Sequence, residues 1–291
     1  MQLILVSGAG NRFALVDVPR SGGPADPSGW ARFLCDARAG HDLPPLDGLL
    51  LLESPVTSQA SARMVLYNAD GSRPEACGNG LRCVAGLARE RGHSSTDTFV
   101  VDTDAGPREV TVEWDASRTF VVGAQVSMGP VGMLEADAAF DGLPPTSDGS
   151  TSCRASLATV GNPHAVLLVD DERLAPVAAW GPAIERHPRF PAGTNVGFLA
   201  QRGGELHLRV WERGVGETAA CGSGACAAAS VAWAKGLVRP GLPVALHLAG
   251  GRLVVEGDPD VDVRLSGPVE TLRTVELDEP TKHLEAGSGS T

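Results

Sequence analysis

Ala76-Cys77-Gly78-Asn79-Gly80 and Ala220-Cys221-Gly222-Ser223-Gly224 are near copies of one pentapeptide, 144 residues apart in a chain of 291. The likeness extends upstream, because Tyr67-Asn68 lies ten and nine residues before the first cysteine and Trp211-Glu212 the same distance before the second. Self-similarity at a separation near half the chain length indicates an internal duplication. The two motifs therefore predict two similar domains that face each other, with one cysteine in each.

Each motif is predicted to begin a helix. Residues 78–92 and 222–236 have helical character, whereas short apolar or alternating runs on either side of them are typical of strands. Strands, one long helix and further strands do not form the alternating pattern of a doubly wound sheet. We therefore predict an α+β fold of two pseudo-symmetric domains, each a curled, mostly antiparallel, barrel-like sheet around a central helix, with the site in the cleft between them.

The duplication also suggests where the two halves divide. The predicted N-terminal half comprises residues 1–123 and 269–283 and carries Cys77, and the predicted C-terminal half comprises residues 124–268 and carries Cys221. Residues 130–149 are rich in Gly, Pro and Asp and are predicted to form a surface connection. Residues 284–291 are a glycine- and serine-rich tail that we expect to be disordered.

Composition narrows the possible partners. The net charge of -11 and the pI near 5.1 argue against binding to nucleic acid, and no basic stripe is present. No apolar stretch is long enough to cross a bilayer, and the N-terminus lacks the basic region of a signal peptide. We therefore expect a cytoplasmic protein with a small-molecule partner and no membrane association.

The cysteine motifs suggest a specific chemistry. A helix N-terminus favours an anion, so we expect the pKa of a thiol placed there to be lowered. The glycines after each cysteine leave backbone N–H groups free to bind a carboxylate. Two such helix starts would hold an amino-acid carboxylate while a sulfur approaches the α-carbon from each side. One thiolate could then remove the α-proton while the opposite thiol delivers another, which inverts the centre without a cofactor.

Other interpretations of the cysteines are weaker. A free cysteine often behaves as a small buried hydrophobe, and this is our interpretation of Cys35, Cys83, Cys153 and Cys226. The Cys-x5-Cys and Cys-x4-Cys spacings fall at or beyond the usual range for zinc ligands, so we predict no metal site. A disulfide between the two motif cysteines would be an oxidised, inactive form. Only two lysines, Lys235 and Lys282, are present, which gives little support to a pyridoxal phosphate enzyme, and we predict no cofactor.

Several motifs together identify a family. The chain resembles diaminopimelate epimerase over nearly its whole length, in order and with similar spacing, at Gly8-Ala9-Gly10-Asn11, Asn68-Ala69-Asp70-Gly71-Ser72, the two cysteine motifs, Gly161-Asn162-Pro163-His164-Ala165, Asn195-Val196 and residues 212–218. The resemblance implies a cofactor-independent two-base isomerase that interconverts LL- and meso-diaminopimelate in lysine and peptidoglycan precursor biosynthesis. It also implies a homodimer.

The resemblance further implies roles for individual residues. Cys77 and Cys221 would be the base and the acid, exchanging roles with reaction direction. The implied catalytic set also includes His164 and Glu212: His164 would either orient a thiol and tune its pKa or be structural, and Glu212 would pair with an ammonium group. Arg213 offers a planar fork for a second carboxylate. The implied substrate-binding set is Asn11, Asn68, Gly78, Asn79, Asn162, Asn195, Glu212, Arg213, Gly222 and Ser223.

The chain departs from the family pattern in two places. Arg12 follows Asn11 where the family usually has Asp, and Gly48 stands where the family often has Gln. Both positions are predicted to lie near the site entrance, so we expect contacts there to differ. Two alternatives stay open: an epimerase or racemase of the same two-thiol type that acts on histidine, proline or hydroxyproline, and a dithiol redox or metal-binding protein.

Overall fold

The structure, a computed structural model, describes residues 1–74 and 77–278. The elements before residue 130 are β1 (Gln2–Gly8), β2 (Asn11–Asp17), α1 (Val18–Ser21), α2 (Pro27–Cys35), β3 (Gly48–Glu53), β4 (Ala62–Asn68), α3 (Gly78–Glu90), β5 (Thr98–Thr103), β6 (Gly106–Trp114) and β7 (Val121–Gly129). Those after it are β8 (Gly132–Phe140), β9 (Cys153–Thr159), β10 (Pro163–Val169), α4 (Val177–Glu185), β11 (Asn195–Arg202), β12 (Glu205–Glu212), β13 (Gly216–Thr218), α5 (Gly222–Ala234), β14 (Val244–Leu248), β15 (Gly251–Asp258), β16 (Asp262–Pro268) and β17 (Glu270–Glu276).

The strand pairings repeat. One series runs β17-β1-β2-β3-β4-β5-β6-β7, and the other runs β8-β9-β10-β11-β12-β14-β15-β16. In both series the third and fourth strands are parallel, as are the fifth and sixth, and the remaining pairs are antiparallel. The short strand β13 pairs only with β12, and β7 joins β16 to connect the two series. The duplication seen in the cysteine motifs thus extends to the whole chain path.

Each sheet curls around one helix. Helix α3 touches the second, fifth and last strands of its series, β1, β4 and β7, and α5 likewise touches β9, β12 and β16. Such contacts are possible only if the sheet wraps around the helix. The predicted α+β class with two pseudo-symmetric, curled sheets is therefore confirmed.

The two central helices share one core. The buried faces of α3 and α5 lie in a single apolar cluster with the inner faces of both sheets. Two smaller clusters cover the outer faces, where α2 packs on β3 through Trp30 and Leu34, and α4 packs near β11 through Trp180 and Ile184. Strand β3 is buried on both faces, which explains its uninterrupted apolar run Leu49-Leu50-Leu51-Leu52.

Some boundaries differ from the sequence-based expectation. Residues 130–149 were expected to be a surface connection, but residues 132–140 form β8, whose backbone pairs with β9 although most of its side chains face solvent. The predicted division between residues 123 and 124 falls inside β7, so the two-domain boundary stays a prediction. Residues 279–283 of the predicted N-terminal half and the predicted tail, 284–291, lie outside the described residues. None of the helices in the described ranges is long and apolar enough to cross a membrane.

Candidate active site

Each motif cysteine caps a helix. Cys77 precedes α3 with an extended backbone, and its Sγ accepts a hydrogen bond from the Gly80 amide at 3.4 Å. Cys221 precedes α5 in the same conformation, and its Sγ accepts from the Gly224 amide, also at 3.4 Å. Both sulfurs therefore lie at the positive end of a helix dipole, beside backbone N–H groups that have no partner within the helix.

The two helix starts face each other. A Cβ on Gly222 would lie 3.6 Å from the Cα of Gly78 and 3.8 Å from Oδ1 of Asn79, so the first residues of the two helices lie within van der Waals range of each other. The side chain of Asn79 also crosses between the motifs and donates to the carbonyl of Ala220 at 3.4 Å. The structure thus brings together two helix N-termini that the sequence places in different halves of the chain.

The thiols are more enclosed than the sequence suggests, since Cys221 is buried and Cys77 is partly buried. Burial raises the pKa of the Cys77 thiol and outweighs the amide of Gly80, which lowers it. Burial likewise raises the pKa of Cys221 well above its ordinary value. The expectation that the helix termini lower these pKa values is therefore wrong, because loss of hydration costs the thiolate more than the N–H groups of the helix start return.

Glu212 adds to this effect at both thiols. The negative charge of Glu212 raises the pKa of Cys77 and of Cys221 alike. Burial raises the pKa of Glu212 itself, while a hydrogen bond donated by the Thr218 hydroxyl to Oε1 opposes that rise. An ammonium group that paired with Glu212 would remove this obstacle to thiolate formation.

His164 reaches Cys221 only through intermediates. The imidazole is buried, and burial lowers its pKa to about 3, with the charge of Arg213 as a second cause. The ring is therefore neutral near pH 7, and its Nε2 lies 2.9 Å from Oδ1 of Asn162. Asn162 in turn contacts the Ser223 hydroxyl at 3.5 Å, which is 3.6 Å from Sγ of Cys221. This placement favours the structural role for His164 over direct contact with a thiol.

Arg213 directly follows β12, and hydrogen bonds fix both its backbone and its side chain. Its amide donates to Oδ1 of Asn195 at 3.0 Å, and its Nη1 donates to the carbonyl of Ala192 at 3.3 Å. Asn195 is buried and also donates to the carbonyl of Pro163 at 3.2 Å, so much of its amide positions the loop. Within the described residues the Arg213 guanidinium forms no ion pair, which leaves its fork free for a carboxylate.

The structure reveals a further support that the sequence analysis missed. Glu185 at the end of α4 accepts from the Trp211 indole at 2.7 Å through one oxygen and from the Gly214 amide at 2.8 Å through the other. These bonds clamp the chain on both sides of Glu212 and Arg213. The acidic residue was not predicted because α4 has no motif and lies 26 residues before Trp211 in the chain.

Replacing Glu185 by glutamine is expected to raise KM by about 10- to 100-fold with little change in kcat, since hydrogen bonds to charged groups contribute about 1.5–3 kcal/mol. Glutamine keeps one acceptor oxygen, so either the indole or the Gly214 amide loses its partner. Steady-state kinetics and the emission of Trp211 would report the change. Glu135→Gln, which alters an exposed carboxylate on β8, is the control, and equal KM values in both variants would contradict the assigned role.

The remaining predicted residues line the turn regions around α3. Oδ1 of Asn11 accepts from Nδ2 of Asn79, and Nδ2 of Asn11 donates to Oδ2 of Asp47 at 3.4 Å. The same Asp47 oxygen accepts from the Arg12 amide at 2.7 Å. Asn68, at the end of β4, contacts the Ser72 hydroxyl at 3.0 Å and is partly exposed.

The departure at Gly48 has a steric cause. This residue lies opposite Asn68 in the β3–β4 pair, and a Cβ on it would come within 2.5 Å of the Tyr67 carbonyl oxygen. The backbone here therefore leaves no room for the glutamine that the family often has. The exposed Arg12 side chain lies in the β1–β2 turn region near Asp47, so both departures are close to Asn11.

Comparison with known proteins bears on this geometry. The family model described as diaminopimelate epimerase matches residues 4–134 and 156–271, which include both cysteine motifs. The chain is 40% identical to diaminopimelate epimerase of Thioalkalivibrio sulfidiphilus over 96% of this chain and 99% of the relative. It is 39% identical to that of Moorella thermoacetica over 94% and 98%. The chain belongs to the diaminopimelate epimerase family. The predicted resemblance is confirmed, and membership places the chain among the isomerases.

Solved structures share the fold at low sequence identity. A probable proline racemase from Agrobacterium radiobacter superimposes with a TM-score of 0.75 at 18% identity, covering 97% of this chain and 94% of that one. A hydroxyproline epimerase from Agrobacterium vitis gives 0.72 at 20% identity, covering 95% and 90%. These likenesses concern the curled, two-sheet architecture. The diaminopimelate epimerase family therefore shares its architecture with proteins named for other amino acids.

Proposed function

We propose that this chain interconverts LL- and meso-diaminopimelate without a cofactor, using Cys77 and Cys221 on opposite faces of the α-carbon. The observation that carries the proposal is the convergence of two cysteine-capped helix N-termini, whose first residues Gly78 and Gly222 lie next to each other. The negative charge of Glu212, which raises the pKa of both thiols, supports it. The family of the chain supports the substrate. The proposal includes a role in lysine and peptidoglycan precursor biosynthesis and a cytoplasmic location. It also includes a homodimer, and sedimentation at several protein concentrations would test that oligomeric state.

The proposed reaction moves one proton on each face of the substrate. The thiolate of one cysteine takes the α-proton, and the electron pair left on the α-carbon delocalises into the adjacent carboxylate. Backbone N–H groups of Gly78, Asn79, Gly222 and Ser223 at the two helix starts stabilise the charge that develops there. The other cysteine gives its thiol proton to the opposite face. After the transfer, the two sulfurs have exchanged protonation states, which suits the reverse reaction.

The rest of the proposed site matches the other groups of diaminopimelate. Glu212 pairs with an ammonium group, and the planar fork of Arg213 takes the distal carboxylate. Asn11, Asn68, Asn162 and Asn195 are proposed to complete the polar wall, with part of the Asn195 amide engaged in holding Arg213. His164 is proposed to hold Asn162 rather than to exchange protons. A substrate with two carboxylates and two ammonium groups fits this set better than an amino acid with one of each.

One experiment tests the proposal directly. The reduced protein is incubated with LL-diaminopimelate in D2O, and NMR follows α-hydrogen exchange and the isomer ratio. We expect deuterium at the α-position and formation of the meso isomer. Retention of the α-proton with no meso isomer would refute the proposal. Parallel incubations with L-histidine, L-proline and trans-4-hydroxy-L-proline distinguish the same-mechanism alternatives, because exchange with one of them alone would reassign the substrate.

The dithiol redox and metal-binding alternative makes different predictions. All six cysteines are free thiols in the structure, and no group of three or more His, Cys, Asp or Glu side chains in the described ranges is arranged to hold a metal ion. Metal analysis of the purified protein and thiol titration before and after a thioredoxin-type reductant would test this alternative. Stoichiometric metal or a reversible disulfide, together with no epimerisation, would favour it.

Replacing Glu212 by glutamine is expected to have opposite effects on two rates. Removal of the negative charge lowers the pKa of both thiols, so alkylation by iodoacetamide at pH 8 rises, by about tenfold for each pKa unit lost. Epimerisation falls, because the substrate ammonium loses its partner. Peptide mass spectrometry separates alkylation at the two sites. Glu217→Gln, which alters a carboxylate paired with Arg209 on the neighbouring strand, is the control. Slower alkylation in Glu212→Gln would contradict the assignment.

A further inference from the structure

A buried arginine behind the first motif has no carboxylate partner among the residues that the structure describes. Arg82 in helix α3 is fully buried, and it forms no ion pair within residues 1–74 and 77–278. Its Nη2 donates to Oδ1 of Asn79 at 2.8 Å and its Nη1 approaches the Gly78 carbonyl at 3.4 Å, while Nε has no partner among the described residues. A guanidinium stays charged in proteins, and a buried charge without a counter-ion is costly. This arrangement requires an explanation beyond packing.

The surroundings of Arg82 are built to accommodate it. A Cβ on Gly267 in β16 would come within 3.0 Å of both Cζ and Nη2 of Arg82, so the guanidinium occupies space that a larger residue would fill. Strand β16 belongs to the second series of strands, whereas α3 belongs to the first. The positive charge is therefore held at the junction of the two halves, directly behind the helix starts that carry the thiols.

Arg82 sets the orientation of the Asn79 amide. Because Oδ1 of Asn79 accepts from Arg82, its Nδ2 must point the other way, where it donates to Oδ1 of Asn11 and to the carbonyl of Ala220. One arginine thus fixes an amide that links the β1–β2 turn, helix α3 and the residue before Cys221. Without Arg82 the amide could rotate and exchange its donor and acceptor ends.

Three thiols lie within reach of the Arg82 charge, and they differ in accessibility. The charge acts on Cys77, Cys83 and Cys226. Burial raises the pKa of Cys83 and of Cys226 to about 12, so these two remain neutral. Cys77 differs because it caps the helix, accepts from a backbone amide and is partly exposed. A thiolate at Cys77 is the one anion in this set that the reaction would form.

We propose that Arg82 is a positioning residue of the epimerisation site: it stands behind Cys77 as the buried counter-charge of the thiolate and fixes the Asn79 amide, and it does not touch the substrate. The inference deepens the proposed function and rests on it for the role of the thiolate. It also predicts an asymmetry between the two thiols, since the charge of Arg82 lowers the pKa of Cys77 and is not among the main causes of the shift at Cys221.

The test measures iodoacetamide alkylation of each thiol against pH, by peptide mass spectrometry, in wild type, Arg82→Met and Arg82→Lys. In Arg82→Met we expect alkylation of Cys77 at fixed pH to fall about tenfold, equivalent to one pKa unit, and alkylation of Cys221 to change less than about twofold. We expect kcat to fall about 10- to 100-fold with KM within about threefold, because the loss is in thiolate formation rather than in substrate contact. A merely structural role would slow or accelerate both thiols together.

Arg82→Lys separates charge from geometry and covers the case in which the methionine variant does not fold. Lysine keeps the positive charge but lacks the planar fork that holds Asn79. We expect Cys77 alkylation within about threefold of wild type, with kcat between those of wild type and Arg82→Met. Unchanged Cys77 alkylation in Arg82→Met, equal shifts at Cys77 and Cys221, or wild-type kcat in both variants would overturn the inference. Alkylation needs no substrate, so failure of the proposed function with diaminopimelate would be recognised separately.

Discussion

Replacing Cys77 or Cys221 by serine is expected to lower the rate of epimerisation by about 10²–10⁴-fold, the usual contribution of a positioned acid or base. Each variant keeps one thiol on one face of the α-carbon and a much weaker acid on the other. Serine is a favoured helix N-cap, so helices α3 and α5 should begin normally and the thermal midpoint should change little. The loss would therefore be chemical and not a consequence of unfolding.

The control for this prediction is Cys35→Ser. Cys35 lies at the end of α2, in the apolar cluster on the outer face of the first sheet. The same chemical change there should leave epimerisation near the wild-type rate. Activity would be followed by the ratio of LL to meso isomer, and folding by circular dichroism. Equal activity in all three serine variants would remove both motif cysteines from the mechanism.

Replacing Arg213 by alanine is expected to lower kcat/KM for LL-diaminopimelate by about 30- to 5,000-fold, since truncation of one partner of a hydrogen-bonded charge pair costs about 2–5 kcal/mol. The guanidinium forms no ion pair within the described residues, and its backbone is held by Asn195, so the fork is ready for a carboxylate. The kcat/KM of Arg213→Lys should lie between those of wild type and Arg213→Ala, because lysine keeps the charge but not the bidentate geometry.

Two comparisons test that prediction. Arg239→Ala removes an exposed arginine after α5 and should leave kcat/KM unchanged. L-Lysine has both ammonium groups of diaminopimelate but lacks its distal carboxylate. It should be a far poorer substrate than diaminopimelate for the wild type, and only a slightly poorer one for Arg213→Ala. If Arg213→Ala retains the full preference for diaminopimelate, the distal carboxylate binds elsewhere.

The sequence could predict the elements that carry a strong local signal. Helices α3 and α5 each follow a motif cysteine, and strand β3 contains an unbroken run of four leucines, so the sequence identifies these helices and this strand. Strand β8 was not identified, because it lies at the edge of its series with one neighbour, and most of its side chains are exposed and polar or small. Its backbone hydrogen bonds to β9 define it, and these leave little trace in composition.

The candidate site shows the same division. Cys77, Cys221, Glu212 and Arg213 belong to motifs and could be named from the sequence. Glu185 could not, since it holds residues 26 and 29 positions away through bonds that exist only after folding. Arg82 was not singled out although Asn79 is only three residues before it, because its burial depends on packing against the second series of strands. The protonation of the thiols was also misjudged. A helix N-terminus is visible in a sequence, but the burial that opposes it depends on how closely two distant helices approach.

By itself, the sequence determined the duplication, the two thiols and the family, because each depends on residue types at fixed local spacing. Only the tertiary structure decided that the two helix starts meet at Gly78 and Gly222, that Glu212 affects both thiols, and that a buried arginine with no ion pair among the described residues lies behind Cys77. Distances between parts of a chain more than a hundred residues apart follow from packing and strand pairing. The cysteine motifs specify the chemistry, whereas the curled sheets bring the two halves of that chemistry together.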